Sequence, residues 1–309
     1  MFVASAGHEF PFSVCFQLYF KAFAHRTLRG MDTWNSRFAD RSPILSSVRD
    51  AARHLAGADW PDSTLLQRLF DDAHVHTAST LPLQLVPASA DAEPYELRLY
   101  RLGELEFRER NWHDLFNVLS WLMFPQAKAA LNARHHAEFL KAPVPGRRGP
   151  VRDALTLFDE DGVVAIAADS DLLGMIRDFR WKPLFWERRA DVIERMRFLP
   201  FGHALCEKAL TPYQGMTGRG VLLEVDQDFL DLAPMAQLSC VDRMLAQRIA
   251  DADALRGTRD LAPLPVLGVP GWYPGNERAE YYDDRDYFRP GRMYRSAPQR
   301  RNTSARGGS

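Results

Sequence analysis

The sequence predicts an α+β fold: a single, mainly helical domain with short antiparallel hairpins and an extended aromatic C-terminal arm. Three observations carry this. Apolar residues recur at helical spacing over most of the chain. Short stretches alternate at period two around glycine-containing turns. Helices and strands follow one another in no strict βαβ order, which argues against a parallel α/β sheet. At 309 residues, 46% of them hydrophobic and 26% charged, core size is not limiting.

Residues 10–20 are apolar and aromatic but lack a positive n-region before them and a small-residue cleavage site after them, and the run is too short to span a bilayer. Met31 opens a more ordinary helical sequence, so residues 1–30 read as an N-terminal extension and residues 31–288 as one domain. Ser42 before Pro43 is a helix start, with Ile44, Leu45, Val48, Ala51, Ala52 and Leu55 on one face and Gly57 as the stop. Leu65, Leu66, Leu69, Phe70 and Ala73 repeat the pattern, and Pro82 opens an extended stretch over 83–86. Tyr95, Leu97, Leu99 and Phe107 alternate with charged residues around Gly103, which predicts a β-hairpin.

Asn111 is a good N-cap, and Asp114 sits where a carboxylate favours the positive end of a helix. Trp112, Leu115, Phe116, Leu119, Leu122 and Met123 form its buried stripe. Pro125 ends that helix and begins the next, which runs to about residue 140 and carries Asn132, Arg134, His135 and His136. Residues 143–150, rich in Pro, Gly and Arg, form a loop. Residues 155–158 and 163–167, joined by a turn over 159–162, predict a second hairpin. Helices at 170–179 and 183–194, a strand near Phe198, a helix over 202–210, a strand over 221–225 and a helix over 234–255 follow. From Leu261 the chain is rich in Pro, Gly and rings (Trp272, Tyr273, Tyr281, Tyr282, Tyr287, Phe288), which predicts an ordered arm packed over the domain. Beyond Phe288 there are six arginines and no acid, so residues 289–309 read as a disordered tail.

With 39 basic and 40 acidic residues, no global field recruits nucleic acid or an anionic membrane. Nucleic acid is not expected beyond loose contact through the Arg-rich tail, and no other partner is assigned. Cys15, Cys206 and Cys240 form neither a disulfide framework nor paired metal-ligand spacing, so a reducing cytoplasm is the expected compartment. No Walker loop, dinucleotide glycine fingerprint, zinc-finger spacing or nucleophile elbow is present.

The segments NWHDLFNVLSWLMFPQAKAALNARH, RDALTLFDEDG, FRWKPLFWERR, FGHALCEKAL and LPVLGVPGWYPGNERAEYYDDRDYFRP together resemble a proteobacterial family known as a domain of unknown function, DUF3025. The resemblance covers roughly residues 40–290. It implies a single bacterial domain and brings no activity, substrate or catalytic residue with it.

The candidate chemistry therefore rests on the residues. His113 and Asn117 lie at i and i+4 with Asp114 adjacent, and His203 and Glu207 repeat that geometry on another helix. If the two helix starts face each other, His113, Asp114, His203 and Glu207 supply ligands for a divalent metal, or a base oriented by an acid. The plainer reading is that Asn111 and Asp114 cap a helix while each histidine bonds a backbone carbonyl, and it weighs more because caps are common and metal sites rare. His135 and His136 are consecutive and point apart, so they cannot easily chelate one ion.

Two short motifs are discounted. Asp72, His74, His76 and Thr77 imitate a metallophosphoesterase start but follow an amphipathic helix. Asp159, Asp161 and Gly162, with Asp283 and Asp284 far along the chain, imitate a haloacid-dehalogenase-like loop, but Val163 stands where a hydroxyl residue belongs. Trp181, Lys182, Trp186, Arg188 and Arg189 read chiefly as a core helix whose arginines reach the surface. Two functional readings remain. One is a small-molecule or phosphoester hydrolase, with His113, Asp114, Asn117, His203 and Glu207 in catalysis or metal binding and Trp272, Asn276, Tyr282 and Arg289 contacting substrate. The other is a non-catalytic binding or interaction module using the arm and tail. Which one holds turns on the distance between the His113 and His203 rings.

Overall fold

Ser42 accepts a hydrogen bond from Ile44 N at 3.3 Å and starts a helical segment, as its side chain and the following proline dictate. The segment is 3-10 helix over Pro43–Val48, one α turn α1 (Arg49–Ala52), then 3-10 again over Arg53–Leu55, with Ile44, Leu45, Val48 and Leu55 fully buried. The computed structural model describes residues 33–88, 93–141 and 149–291. The extension at 1–30, Cys15, most of the loop at 143–150 and the tail beyond residue 291 lie outside the described residues. Among those described, no helix is long and apolar enough to cross a membrane.

Helix α2 (Ser63–Asp72) is capped by Asp62, and β1 (Gln84–Pro87) follows. The predicted hairpin around Gly103 is instead helix α3 (Tyr95–Leu102) followed by β2 (Glu104–Phe107), and β2 pairs with β1 in parallel. Gly103 does not turn a hairpin. At φ 75° it is the left-handed residue that stops α3, with its N–H on Leu99 O at 3.1 Å. The Glu, Leu and Arg content of residues 95–102 is strongly helix-forming, and it outweighs the period-two pattern.

Helix α4 (Trp112–Met123) begins at Asn111, whose Oδ1 accepts from Asp114 N at 3.0 Å, and α5 (Pro125–Leu140) starts immediately after it. The second predicted hairpin is likewise a helix and a strand: α6 (Pro150–Asp161) and β3 (Gly162–Ala167). Pro150 at the first helical position and Asp153 in the first turn are ordinary helix-start residues, and residues 159–161 are the last turn of α6. All six residues of β3 are buried, which suits a central strand covered on both faces. It lies second in a four-stranded sheet of order β4-β3-β5-β6. Strand β4 (Met196–Pro200) is antiparallel to β3, β5 (Thr217–Glu224) is parallel to it, and β6 (Ala262–Pro265) is antiparallel to β5. The α+β class therefore stands, while the antiparallel pairs are joined by long connections rather than hairpin turns.

Between β3 and β4 run α7 (Ser170–Arg177), a π turn at Pro183–Glu187 and α8 (Arg189–Arg195). Helix α9 (His203–Lys208) follows β4, and α10 (Pro234–Ala250) packs along α5. Asp242 of α10 caps α5, accepting from Gln126 N at 3.1 Å and Ala127 N at 2.8 Å. In return Arg134 of α5 donates to Ile249 O and Asp251 O at the end of α10. The C-terminal arm packs its rings against the π turn and β4: Tyr282 lies 6.4 Å from Phe185 and Trp272 lies 6.1 Å from Phe198, centre to centre.

Candidate metal centre

Helices α3, α4, α5 and α6, with the first residue of α9, enclose a cavity of about 410 Å³. Each helix presents one stripe to it at helical spacing. From α4 these are His113, Asn117 and Trp121, with Asp114 beside them; from α5, Lys128, Leu131, Asn132 and His135; from α6, Thr156, Asp159 and Glu160; from α3, Tyr95, Glu96 and Leu99.

A close backbone approach brings α9 to α6. Phe201 N and Gly202 N both donate to Gly162 O, at 2.9 and 3.0 Å, closing the end of β4 onto the start of β3. A Cβ on Gly202 would lie 2.3 Å from Glu160 O and 2.4 Å from Gly162 N, so only glycine fits there. His203, the next residue, is thereby set beside the last turn of α6. Ser120 of α4 donates to Phe201 O at 3.1 Å, tying the third helix to the same junction.

The two imidazoles meet. His113 Nε2 and His203 Nε2 lie 3.0 Å apart, with ring centres at 4.4 Å and planes at 76°. A Glu160 carboxylate oxygen completes a group whose three ligand atoms all fall within 4.8 Å of one another, and Glu160 Oε2 is 3.7 Å from His203 Nε2. On its far side, His113 Nδ1 faces Glu207 Oε2 at 3.1 Å. His203 Nδ1 faces Asp159, whose Oδ2 is 3.9 Å away. Asp159 in turn accepts from the Lys128 ammonium at 2.5 Å, and that ammonium also donates to Asn117 Oδ1 at 2.9 Å.

Electrostatics separates the two rings. Burial disfavours charge on His113, but the Glu207 hydrogen bond and the nearby Glu160 and Glu207 charges outweigh it and raise its pKa above the ordinary value. Deeper burial lowers His203 well below its ordinary value, and Asp159 only partly offsets this. These opposite shifts favour a proton on His113 Nε2 directed at His203 Nε2. Burial also raises Glu160. Asp159, which burial alone would raise, is held low chiefly by the charge and hydrogen bond of Lys128.

The structure places His113, His203 and Glu207 of the sequence-predicted residues together and separates the rest. Asn111 and Asp114 do form the expected N-cap, but the histidines bond each other and carboxylates rather than only main-chain carbonyls. Asp114 is no part of the His cluster: its carboxylate accepts from Arg108 N, Nε and Nη2 at 2.8, 2.8 and 2.7 Å. Asn117 lines the cavity one turn deeper, donating to Tyr95 Oη at 3.2 Å.

Trp272, Asn276, Tyr282 and Arg289 do not line this cavity. Asn276 is fully buried and donates to Leu267 O and Val269 O, and Tyr282 donates to Gly268 O, so both are structural pins of the arm. Arg289 Nε donates to Asp286 O, and its own carbonyl accepts from Trp181 Nε1. Trp181 is a buried core ring as expected, while Arg188 and Arg189 pair with Asp191 and Glu277. His136 stacks on Tyr100, whereas the adjacent His135 faces the cavity. The Asp72, His74, His76, Thr77 group lies outside the cavity. Asp283 and Asp284 bond Lys182 and Gln214, far from Asp159.

Glu160 and Asp159 escaped the sequence reading as members of this site, Asp159 being named there only within the discounted haloacid-dehalogenase-like motif, and so did Lys128. Taking residues 159–162 as a turn hid the first two, although Pro150 as a helix start puts Thr156, Asp159 and Glu160 on one helical face. Lys128 was legible as the first charge after a long uncharged run.

The family model described as "Protein of unknown function (DUF3025)" matches residues 83–292. No curated protein and no solved structure matches the chain. The matched span covers well over half of the sequence and every residue lining the cavity, so this chain belongs to the DUF3025 family.

Proposed function

We propose that His113, His203 and Glu160 hold a divalent transition metal at the outer end of the cavity, and that the protein is a metal-dependent hydrolase of small molecules. The observation that carries this is the convergence of two imidazole Nε2 atoms, 3.0 Å apart, with a carboxylate oxygen inside the same 4.8 Å group. Supporting it, Glu207 on His113 Nδ1 forms the carboxylate–histidine arrangement that fixes a metal-ligand tautomer and makes the ring more basic. Two nitrogens and one oxygen suit zinc, manganese or iron. Three protein ligands leave coordination positions open to the cavity, the pattern of a catalytic rather than a structural site. A metal held there would lower the pKa of a bound water towards about 7 and so supply hydroxide at neutral pH. The sparse cysteines, neither of the described pair disulfide-bonded, support a reducing bacterial cytoplasm as the setting.

The test is elemental analysis of protein purified without a polyhistidine tag or chelator, alongside His113→Ala, His203→Ala and Glu160→Ala. Near-stoichiometric zinc, manganese or iron in the wild type and its loss from all three variants is expected. Ester, amide and phosphoester reporters should then be hydrolysed by the wild type alone. Wild-type protein that retains no metal after loading and gel filtration overturns the reading.

A further inference from the structure

We propose that Tyr95 is a further catalytic residue, whose hydroxyl donates to the carbonyl oxygen of an acyl substrate, a neutral or cationic amide or ester, bound in the cavity. A hydrogen-bond relay of fixed direction carries this. The Lys128 ammonium has only donors, and it gives them to Asp159 Oδ1 at 2.5 Å and to Asn117 Oδ1 at 2.9 Å. That contact fixes the Asn117 amide with its oxygen towards Lys128, so its nitrogen points the other way, where Nδ2 donates to Tyr95 Oη at 3.2 Å. With an N–H already directed at its oxygen, the Tyr95 hydroxyl is left as a donor, and its proton has no acceptor among the described residues. Burial and the Asp159 charge raise the phenol pKa, so the proton stays in place at neutral pH. Tyr95 is partly exposed and lines the cavity. Its partner Asn117 lies one turn of α4 from His113, about 5–6 Å along the same face, so the hydroxyl and the imidazole pair are within one small molecule's length of each other.

Charge sets the rest of the class. Glu96, Glu106, Asp114, Asp159 and Glu160 line the cavity. Against them stand Arg108 and Lys128, with His113 a third cation only while protonated. Burial disfavours charge on the other two rings, His135 and His203. The lining stays net negative with His113 protonated, with Glu160 protonated as well, or with a divalent cation on the histidines in their place. Groups just behind the wall do not tip the balance: Arg98 is shared by Glu104 and Glu106, each at 2.6 Å, Arg152 is 3.9 Å from Glu96, and Glu207 adds an acid behind His113. A phosphomonoester dianion therefore enters against like charge, whereas a neutral or cationic carbonyl compound does not. About 410 Å³ is ample for a compact molecule.

This inference deepens the metal-hydrolase reading and rests on it only for the bond broken, where it ranks acyl substrates above phosphoesters. The oxygen of water adds to the carbonyl carbon, and the C=O electron pair moves onto the oxygen held by Tyr95, whose hydrogen bond strengthens as charge grows there. Return of that pair expels the alcohol or amine, which takes up the remaining proton of the water. The products are a carboxylic acid and an alcohol or amine, with water as the sole co-reactant. Recognition by Tyr95 is independent of the metal and is tested without it.

The full chain, as purified and after dialysis against EDTA, is titrated with benzamide, benzamidine and phenyl phosphate, with ligand-observed NMR and thermal shift as readouts. Benzamide is expected to bind both preparations, and phenyl phosphate to leave the EDTA-treated one unmoved. Tyr95→Phe should weaken benzamide about fivefold or more and leave benzamidine, which has the same shape but no carbonyl oxygen, within about twofold. Asn117→Asp keeps the side-chain shape and the Lys128 contact but replaces the Nδ2 donor by an acceptor. The Tyr95 proton then turns towards it, and benzamide should weaken likewise with the phenol still present. Should one variant fail to fold, the other carries the comparison. The proposal is overturned by no binding of benzamide to the wild type, by undiminished binding in both variants, by an equal loss of benzamide and benzamidine in Tyr95→Phe, or by phenyl phosphate binding EDTA-treated protein more tightly than benzamide does. Because benzamide binding is read without metal, its failure is distinct from failure of the metal site.

Discussion

Replacing Glu207 with Gln tests the metal centre most sharply, because it leaves all three ligands in place. Glu207 Oε2 lies 3.1 Å from His113 Nδ1, and its side chain is only 15% exposed, so water does not readily substitute for it. Gln keeps the shape but loses the charge that makes the ring a stronger donor to a cation, and its amide N–H₂ can turn towards Nδ1 and favour the wrong tautomer. Partners of this kind are worth about 10- to 100-fold in metal affinity, or about 1.4 to 2.8 kcal/mol. Competition for zinc against a chromophoric chelator measures it. Asp114→Asn is the internal control. It removes a carboxylate adjacent in sequence to His113, yet one committed to Arg108 at 2.7–2.8 Å. It should cost helix and loop stability while leaving zinc affinity within about twofold, since no ligand or ligand partner is touched. Affinity unchanged in Glu207→Gln, or lost equally in Asp114→Asn, would refute the assignment of Glu207, and not Asp114, as the partner of a metal-binding His113.

Four further outcomes follow from the structure. Metal must displace the proton that the raised His113 carries, so apparent affinity should fall about tenfold per pH unit below that pKa, with close to one proton released per ion in calorimetry across buffers of different ionisation enthalpy. By the same sign, the His113–Glu207 ion pair stabilises metal-free protein fully below about pH 6.5 and is lost as pH rises through the elevated folded value. Gly202→Ala forces a Cβ to within 2.3 Å of Glu160 O; it should push α9 from α6, abolish stoichiometric metal and lower stability by about 1–3 kcal/mol in chemical denaturation. Asp242→Ala removes the cap that α10 supplies to α5 and should cost about 1–2 kcal/mol with metal content unchanged.

The fold was readable where local chemistry acts alone and unreadable where two local codes share residues. Asn111, Pro125 and Ser42 mark helix starts by their own hydrogen-bonding needs, and the structure begins helices at each. Residues 95–102 alternate in polarity and are also good helix formers, and the helix-forming content prevails over the alternation. The same ambiguity at residues 155–161 cost more, because it concealed two of the acids at the site. His113 and His203 were identifiable as the paired i, i+4 motifs of two helix starts. That they face one another depends on β3–β4 pairing and on the close approach at Gly202, long-range facts that no window of sequence contains.

Lys128 shows why the cavity is better understood as a site than as a core defect. Its side chain is 2% exposed, bonded to Asp159 and Asn117, and its ammonium lies 5.7 and 5.8 Å from the ring centres of Trp121 and Phe201. A buried ion pair is a poor stabiliser, since desolvating both charges consumes most of their attraction, and an apolar pair of similar volume commonly does as well or better. Its position gives it a different use. By keeping Asp159 ionised, Lys128 holds a carboxylate on the Nδ1 side of His203, as Glu207 stands on the Nδ1 side of His113. Glu207 bonds His113 Nδ1 at 3.1 Å, whereas the Asp159 carboxylate stands 3.9 Å from His203 Nδ1, beyond hydrogen-bond distance; with both rings protonated at Nδ1, both would present an Nε2 lone pair to the same point. Hydrophobic packing alone would not set an acid near each histidine and a cation on the deeper acid. That placement favours the proposed sharing of a metal ion by the two imidazoles.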